Sequence, residues 1–207
     1  HGQTINPGKV GILSFADGYH GRTLGADLAM GSAKWIDDYA LPFYQIPFPY
    51  GPRWPWDDAA DDPTGEKAFE QCLKTLETNG VRAESIAGFI GEALPGWATW
   101  PMPGGFAKAL RAWCKAHDIL LCFDEVQCGM GRTGRWFGFE HCDILPDLIT
   151  LGKGLTSSVP VSAVVGRADV LDLPNPGEMS STHGGNPVGV AAALAALDVI
   201  EQEELLA

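Results

Sequence analysis

The 207-residue chain contains no apolar run approaching the ~18 unbroken residues that a membrane-spanning helix needs. Clustered basic residues are also missing. Its 14 Lys and Arg face 26 Asp and Glu, for a net charge of −12. That balance argues against a nucleic-acid surface, which needs a basic patch to neutralise phosphates. It leaves room for a small anion held by backbone dipoles. No Cys-x-x-Cys pair occurs. Cys72, Cys114, Cys122, Cys128 and Cys142 are odd in number and lack the spacing of a disulfide framework. They read as free thiols in a reducing compartment, which points to the cytoplasm. Cys114 and Cys122 sit in apolar patterns that predict burial. Cys128, His141 and Cys142 are the only grouping that suggests a metal, and unrelated residues on a surface loop are the better reading. No internal repeat, low-complexity tract or targeting segment is visible. The chain opens at His1 rather than Met and ends in a helical pattern without a stop signal. The expectation is a piece of a longer protein.

Hydrophobic residues make up 45% of the sequence, enough for the core of one ordinary domain. Short apolar runs bounded by turn residues predict strands at 10–15, 86–91, 119–123, 148–151 and 161–166. Helical periodicity predicts helices at 24–34, 65–79, 106–117 and about 188–203, with a short one at 167–172. Thr64 is the expected N-cap of the second helix and Gly80 its stop. Between the first two helices, residues 41–63 carry six prolines and read as a long loop, with Trp54 and Trp56 embedded in it. Strands alternating with helices predict an α/β fold with a mostly parallel sheet flanked by helices.

Two apolar runs end in chemistry. Leu120-Leu121-Cys122-Phe123 runs into Asp124-Glu125-Val126-Gln127. Leu148-Ile149-Thr150-Leu151 runs into Gly152-Lys153-Gly154. Ligands in open α/β sheets bind at the carboxyl ends of strands, so the acid and the lysine are candidates for one site. Lys153 is not a phosphate-loop lysine, since Asp147 stands where that motif needs glycine. A lysine can form a Schiff base when its amine is desolvated, although a surface lysine beside a turn is the commoner case. Asp124 and Glu125 are adjacent on an extended chain and point to opposite sides, which argues against a paired acid–base dyad. One faces the crevice. Its acid could ligate a metal, act as a base, hold a protonated ring nitrogen, or make a structural hydrogen bond.

The combination is more specific than its parts. Tyr19-His20-Gly21-Arg22-Thr23, Asp124-Glu125-Val126-Gln127, Gly131-Arg132-Thr133-Gly134, Pro146-Asp147, Gly152-Lys153-Gly154 and Thr182-His183-Gly184-Gly185-Asn186-Pro187 together resemble the class III aminotransferases of the ornithine and acetylornithine type, in order and in spacing. The resemblance covers nearly the whole chain. It implies an incomplete large domain of the fold-type I transferases that depend on pyridoxal 5′-phosphate. The N-terminal segment with its phosphate cup and the C-terminal small domain with its carboxylate-binding arginine would both be missing. The isolated segment is then expected to be inactive.

The resemblance also implies roles. Lys153 would hold the cofactor through a Schiff base and, once displaced by the substrate amine, shuttle a proton between substrate and cofactor. Asp124 would pair with the pyridine nitrogen and keep it protonated. Gln127 would bond the phenolic oxygen. Tyr19 would stack on one ring face and Val126 would press on the other. His20, in the same motif as Tyr19, counts among the cofactor-binding residues. Thr182 would bind the phosphate from the other subunit of a homodimer with a shared active site, although capping of the following helix would also explain a threonine there. Glu92 matches the glutamate of a Glu-Pro motif on the substrate side.

Departures begin at that motif. Ala93 replaces its proline, and Trp97 stands where relatives acting on ω-amino acids often carry a second acid. Thr156-Ser157-Ser158-Val159-Pro160 occupies a stretch where glycines are usual. The implied reaction moves an amino group from an amino acid or amine donor to a 2-oxo acid acceptor, with no metal, nucleic acid or membrane involved. A decarboxylase, aminomutase or racemase built on the same lysine and aspartate is an alternative. So is a non-catalytic relative that serves as an interaction module.

Overall fold

The structure is a computed structural model that describes residues 1–31, 42–49, 55, 62 and 64–206. Its centre is a six-stranded sheet made of β1 (Gly11–Phe15), β2 (Phe43–Ile46), β3 (Ile86–Gly91), β4 (Leu120–Asp124), β5 (Leu148–Leu151) and β6 (Ala163–Gly166). The strand order is β2-β1-β3-β4-β5-β6. The first five strands run parallel, and β6 returns antiparallel to β5. Leu13 pairs with Phe89, Phe89 with Leu121, and Phe123 with Ile149 across the central strands. Parallel strands covered on both faces read as continuous apolar runs. That is why β3, β4 and β5 fall where the sequence predicts them. The sheet is mostly parallel, as the sequence predicts, and the expected strand at 161–166 begins at Ala163.

The helices are α1 (Gly2–Ile5), α2 (Leu24–Ala29), α3 (Glu66–Thr78), α4 (Gly104–Ala116), α5 (Ala168–Leu171) and α6 (Pro187–Gln202). Helices α3 and α4 bury Ala68, Phe69, Cys72 and Leu76, and Phe106, Ala107, Leu110 and Cys114. The spacing places each set on one face, which packs toward the sheet. Between the layers lie edge-to-face aromatic pairs: Phe15 with Phe48 at 5.0 Å, Phe15 with Phe89 at 5.1 Å, and Phe69 with Phe106 at 5.3 Å. Such pairs add ~0.5–1.5 kcal/mol each to the area they bury. The opposite sheet face meets α2 across an apolar cavity of about 500 Å³, lined in part by Ile12, Phe43, Ile90, Leu120 and Cys122.

Helix α3 stops as predicted. Gly80 has φ +74°, its N–H donates to Glu77 O, and the Val81 N–H donates to Leu76 O, both at 2.9 Å. These two bonds are the Schellman closure, which needs the left-handed conformation glycine tolerates. The start differs. Thr64 is not the cap; Gly65 occupies that position. The Asp62 carboxylate accepts the N–H groups of Gly65 and Ala68 at 3.1 and 3.0 Å, and the Thr64 hydroxyl donates to it. A carboxylate also complements the positive end of the helix dipole, which a hydroxyl cannot do.

Other expectations shift as well. The long loop predicted at 41–63 contains β2, while Trp54 and Trp56 lie outside the described residues. The helix expected at 24–34 ends at Ala29, with 32–34 outside the described residues. Cys128 and Cys142 are buried rather than on a surface loop, and Cys122 is only half-buried. Burial pushes the Cys72 and Cys114 thiols up to about 12, which makes them inert at neutral pH. Among the described residues no three His, Cys, Asp or Glu gather as a metal site. No described helix is long and apolar enough to cross a membrane.

Asp147 ties the far end of the sheet together. Its carboxylate, 4% exposed by residue, accepts both arms of the Arg111 guanidinium, the Arg167 Nη1 at 3.0 Å and the Leu121 N–H at 2.9 Å. Burial would raise its pKa, but these donors outweigh that and hold it below the ordinary carboxylate range.

Candidate active site

β1 has β2 on one side and β3 on the other, so the strand order reverses there. A reversal of this kind opens a crevice at the carboxyl ends of the strands. Four loops converge on it. The chain leaves β1 toward Tyr19 and His20, β3 toward Glu92, β4 at Asp124, and β5 toward Lys153. Together with Gly21, Gly96, Trp97, Val126 and Gln127, these residues line a cavity of about 420 Å³. The sequence singles out Trp97 only as a departure and does not pick Gly21 or Gly96. Loop residues of this kind carry no periodicity that marks them in advance.

Asp124 is the last residue of β4 and is nearly buried. One carboxylate oxygen accepts the Val126 N–H at 3.0 Å. The other lies 2.8 Å from His20 Nδ1, so that nitrogen carries the proton and donates it. The His20 side chain is 3% exposed, and its Nε2 is buried without a hydrogen-bond partner among the described residues.

Glu125 turns the other way, as the two-residue period of a strand dictates. It is fully buried. One oxygen accepts the Phe139 N–H at 3.0 Å, and the other accepts the Gly138 N–H at 2.8 Å and the Cys128 thiol at 3.2 Å. Burial raises its pKa despite these bonds. Its work is to hold the 137–142 turn against the end of β4.

Lys153 has φ +40°, a left-handed conformation uncommon outside glycine. Held strain of this type clusters at functional sites. Its Nζ donates to Gln127 Oε1 at 2.5 Å. The glycines beside it have packing reasons. A Cβ on Gly152 would sit 3.3 Å from Val126 Cγ1, and one on Gly154 would sit 3.2 Å from Met130 Cβ.

Glu92 spans two loops. Its carboxylate accepts the Tyr19 N–H at 3.0 Å and the Gly96 N–H at 3.3 Å. Burial raises its pKa, and the two N–H groups offset that only in part. The Tyr19 ring is half exposed, with the Arg22 guanidinium 5.4 Å from its centroid, a cation–π distance. Thr182 does not join this group. It is exposed and does not line the cavity. Nor does it cap α6: Asn186 does, accepting the Gly189 N–H at 2.8 Å, with Pro187 at the first helical position.

The sequence model of the aminotransferase class-III family matches residues 1–207. The chain belongs to this family. A probable 4-aminobutyrate aminotransferase of Bacillus subtilis is 37% identical to it over 205 residues, which is 95% of this chain and 46% of the relative. An acetylornithine aminotransferase of Methanopyrus kandleri is 39% identical over 194 residues, or 94% of this chain and 45% of the relative. Among solved structures, an (S)-enantioselective omega-transaminase of Thermomicrobium roseum superposes with a TM-score of 0.81 at 30% identity. That match covers 98% of this chain and 47% of the other. This class-III chain thus spans about half the length of the relatives it matches.

Class-III aminotransferases depend on pyridoxal 5′-phosphate. The donor set of the cavity fits that group. A buried carboxylate suits a protonated ring nitrogen, a carboxamide suits a phenolic oxygen, and a primary amine suits an aldehyde. All three side chains open onto one space.

Proposed function

We propose that this chain forms the cofactor-binding part of the large domain of a pyridoxal-phosphate-dependent aminotransferase. The protein would move an amino group from an amino acid or amine to a 2-oxo acid in the cytoplasm. The observation that carries this reading is the convergence of Lys153, Gln127 and Asp124 on one cavity at the strand ends. When bound, the cofactor supplies an electron sink for the bonds at the substrate α-carbon.

The residues divide the remaining work. Lys153 is the covalent anchor and then the base that carries a proton at its Nζ. Gln127, already bonded to that nitrogen, keeps the amine aimed into the cavity. Asp124 orients the ring through its nitrogen. The Val126 N–H and the His20 Nδ1–H fix the carboxylate in turn. Val126 and Tyr19 would bracket the ring faces. Glu92 holds the Tyr19 loop in register with the substrate side. Thr182, exposed and away from this cavity, would serve the phosphate in a second copy of the chain, which makes the working unit a homodimer.

The test uses a full-length protein that contains this segment, loaded with pyridoxal 5′-phosphate. Borohydride reduction followed by peptide mapping is expected to label Lys153, and K153A is expected to lose the label and the amino transfer together. Label on another residue would overturn the assignment. Release of carbon dioxide in place of a 2-oxo acid from the donor would overturn the reaction type.

A further inference from the structure

One turn grips Lys153 at three points. It leaves β4 at Asp124 and runs to Gly131. Its base is closed, with the Gly129 N–H donating to Glu125 O at 2.8 Å. Glu125 is fully buried, and the Gly138 and Phe139 N–H groups hold its carboxylate at 2.8 and 3.0 Å. Gly129 has no room for a side chain, since a Cβ there would lie 2.6 Å from Glu125 O. The turn is therefore a fixed platform. Val126 backs Gly152, Gln127 Oε1 accepts the Lys153 Nζ, and Met130 backs Gly154.

The third contact differs from the other two. Val126 and Gln127 line the cavity, whereas Met130 does not; it is half-buried against the core behind the lysine. Its φ is +59°, and Gly131 follows at +83°. Glycine would take the first of these conformations without strain, so a long side chain sits where the backbone favours none. A residue held in that region points to work that offsets the strain. Lys153, at φ +40°, shares the condition. With a glycine on each side, the lysine turn has no flanking side chains to brace it. Its own bonds are the Leu155 N–H to Gly152 O at 2.9 Å and the Ser157 N–H to Lys153 O at 3.2 Å. What packs on the two glycines therefore sets how the lysine stands. A Cβ on Gly154 would meet Met130 Cγ at 3.7 Å as well as its Cβ, so the methionine covers that face.

We propose that Met130 is a positioning residue for Lys153. Packed under Gly154, its side chain holds the lysine backbone in the left-handed conformation that aims the amine at the cavity. The inference rests on the aminotransferase reading of Lys153. An amine misplaced by about 1 Å can lose up to ~100-fold in rate.

The test compares M130L, M130A and M130G in a full-length protein that contains this segment. M130A removes the bulk and keeps a strained backbone; M130G removes the bulk and relieves the strain. Both are expected to lower kcat by about tenfold or more, because the reacting amine is displaced. KM should stay within about twofold, as the loss falls on the reacting step. Both should also slow the uptake of pyridoxal 5′-phosphate by the apoprotein by about tenfold, read as borohydride-trapped label on Lys153 against time. The pH midpoint of the cofactor absorbance should move in both. M130L keeps the volume and should stay within about threefold of wild type throughout. Thermal melts separate positioning from folding. Lower melting midpoints in M130A and M130G, with uptake rate and pH midpoint as in wild type, overturn the proposal. So does a defect in M130A that M130G lacks, which would assign the effect to the backbone. Loss of folding in both, with M130L folded, overturns it too, since Met130 would then act on the fold. A wild-type protein that takes up no cofactor sinks the aminotransferase reading itself, whereas normal uptake in all four proteins sinks only the role of Met130.

Discussion

The Asp124 carboxylate and the His20 imidazole meet at 2.8 Å, with side chains only 7% and 3% exposed. The pair joins the end of β4 to the loop that leaves β1, 104 residues away in sequence. A carboxylate with both oxygens occupied at the floor of a cavity cannot swing, so the face it shows to a ring nitrogen is fixed in advance.

Replacing His20 with alanine removes one of those two restraints and leaves Val126 N–H as the other. Hydrogen bonds to charged groups contribute ~1.5–3 kcal/mol, so H20A is expected to weaken cofactor binding by about 10- to 100-fold. Titration of the apoprotein with pyridoxal 5′-phosphate, followed by absorbance, measures this directly. His20→Asn, which can still offer an N–H, should recover part of the loss. Affinity unchanged in both variants would show that Asp124 does not depend on His20.

Asp147 gives a pH-dependent expectation. Its folded pKa is depressed, so its stabilising effect is present above the ordinary value of 3.8 and is lost as pH falls through the folded value. The carboxylate is buried but its arginine partners are 23% and 48% exposed, so water can reach the charges left behind. D147N should therefore be less stable than wild type near neutral pH by ~1.5–3 kcal/mol, the contribution of hydrogen bonds to a charged group, and the gap should narrow in acid. Urea melts at a series of pH values settle it. A gap that persists unchanged in strong acid would mean that the loss comes from packing rather than from charge.

The strands that carry the site were legible because they read as unbroken apolar runs, buried against α3 and α4 on one face and lining an apolar cavity on the other. The split between Asp124 and Glu125 was legible for a similar local reason, the alternation of side chains along a strand. β2 was hidden. Phe43–Ile46 sits among prolines, and an edge strand tolerates prolines that a central one does not. Asp62 was hidden behind Thr64, since capping preferences rank both residue types and the outcome depends on where the loop brings the carboxylate. Asn186 was hidden behind Thr182 in the same way. The His20–Asp124 contact could not be read from spacing at all. It follows from strand order, which sets β1 and β4 on either side of β3 with their carboxyl ends at the same edge of the sheet, and no local pattern states that order. Trp97 enters the cavity through a turn at Pro95, which the sequence marks only as irregular.

Close packing at the end of β3 gives a stability test that does not touch the cavity. A Cβ on Gly91 would lie 2.7 Å from Phe15 Cδ2 and 2.8 Å from Phe89 Cε1, both in buried rings. Neither ring can retreat without disturbing the edge-to-face pair they form at 5.1 Å. Overpacking of this sort costs ~1–3 kcal/mol, so G91A should lower the denaturation midpoint with little change in the denaturant slope. A midpoint equal to wild type would mean that the sheet end relaxes more freely than its packing suggests.

Glu125 separates charge from hydrogen bonding. Its burial raises its pKa, so the folded state favours the protonated form, and stability from this group is lost as pH rises through the raised value. On charge alone, Glu125→Gln would then stabilise the protein at neutral pH. The partners say otherwise. Both oxygens face donors: the Phe139 N–H on one side, and the Gly138 N–H with the Cys128 thiol on the other. A glutamine turns one oxygen into an NH₂ group, which leaves donor against donor in a site with no water contact. An unsatisfied buried donor costs ~1–3 kcal/mol, and this cost outweighs the relief of a charge that already has three donors. E125Q is therefore expected to be less stable by about 1–3 kcal/mol, with faster amide exchange at Gly138 and Phe139. E125Q melting above wild type would reverse the ranking and show that desolvation of the carboxylate outweighs its hydrogen bonds.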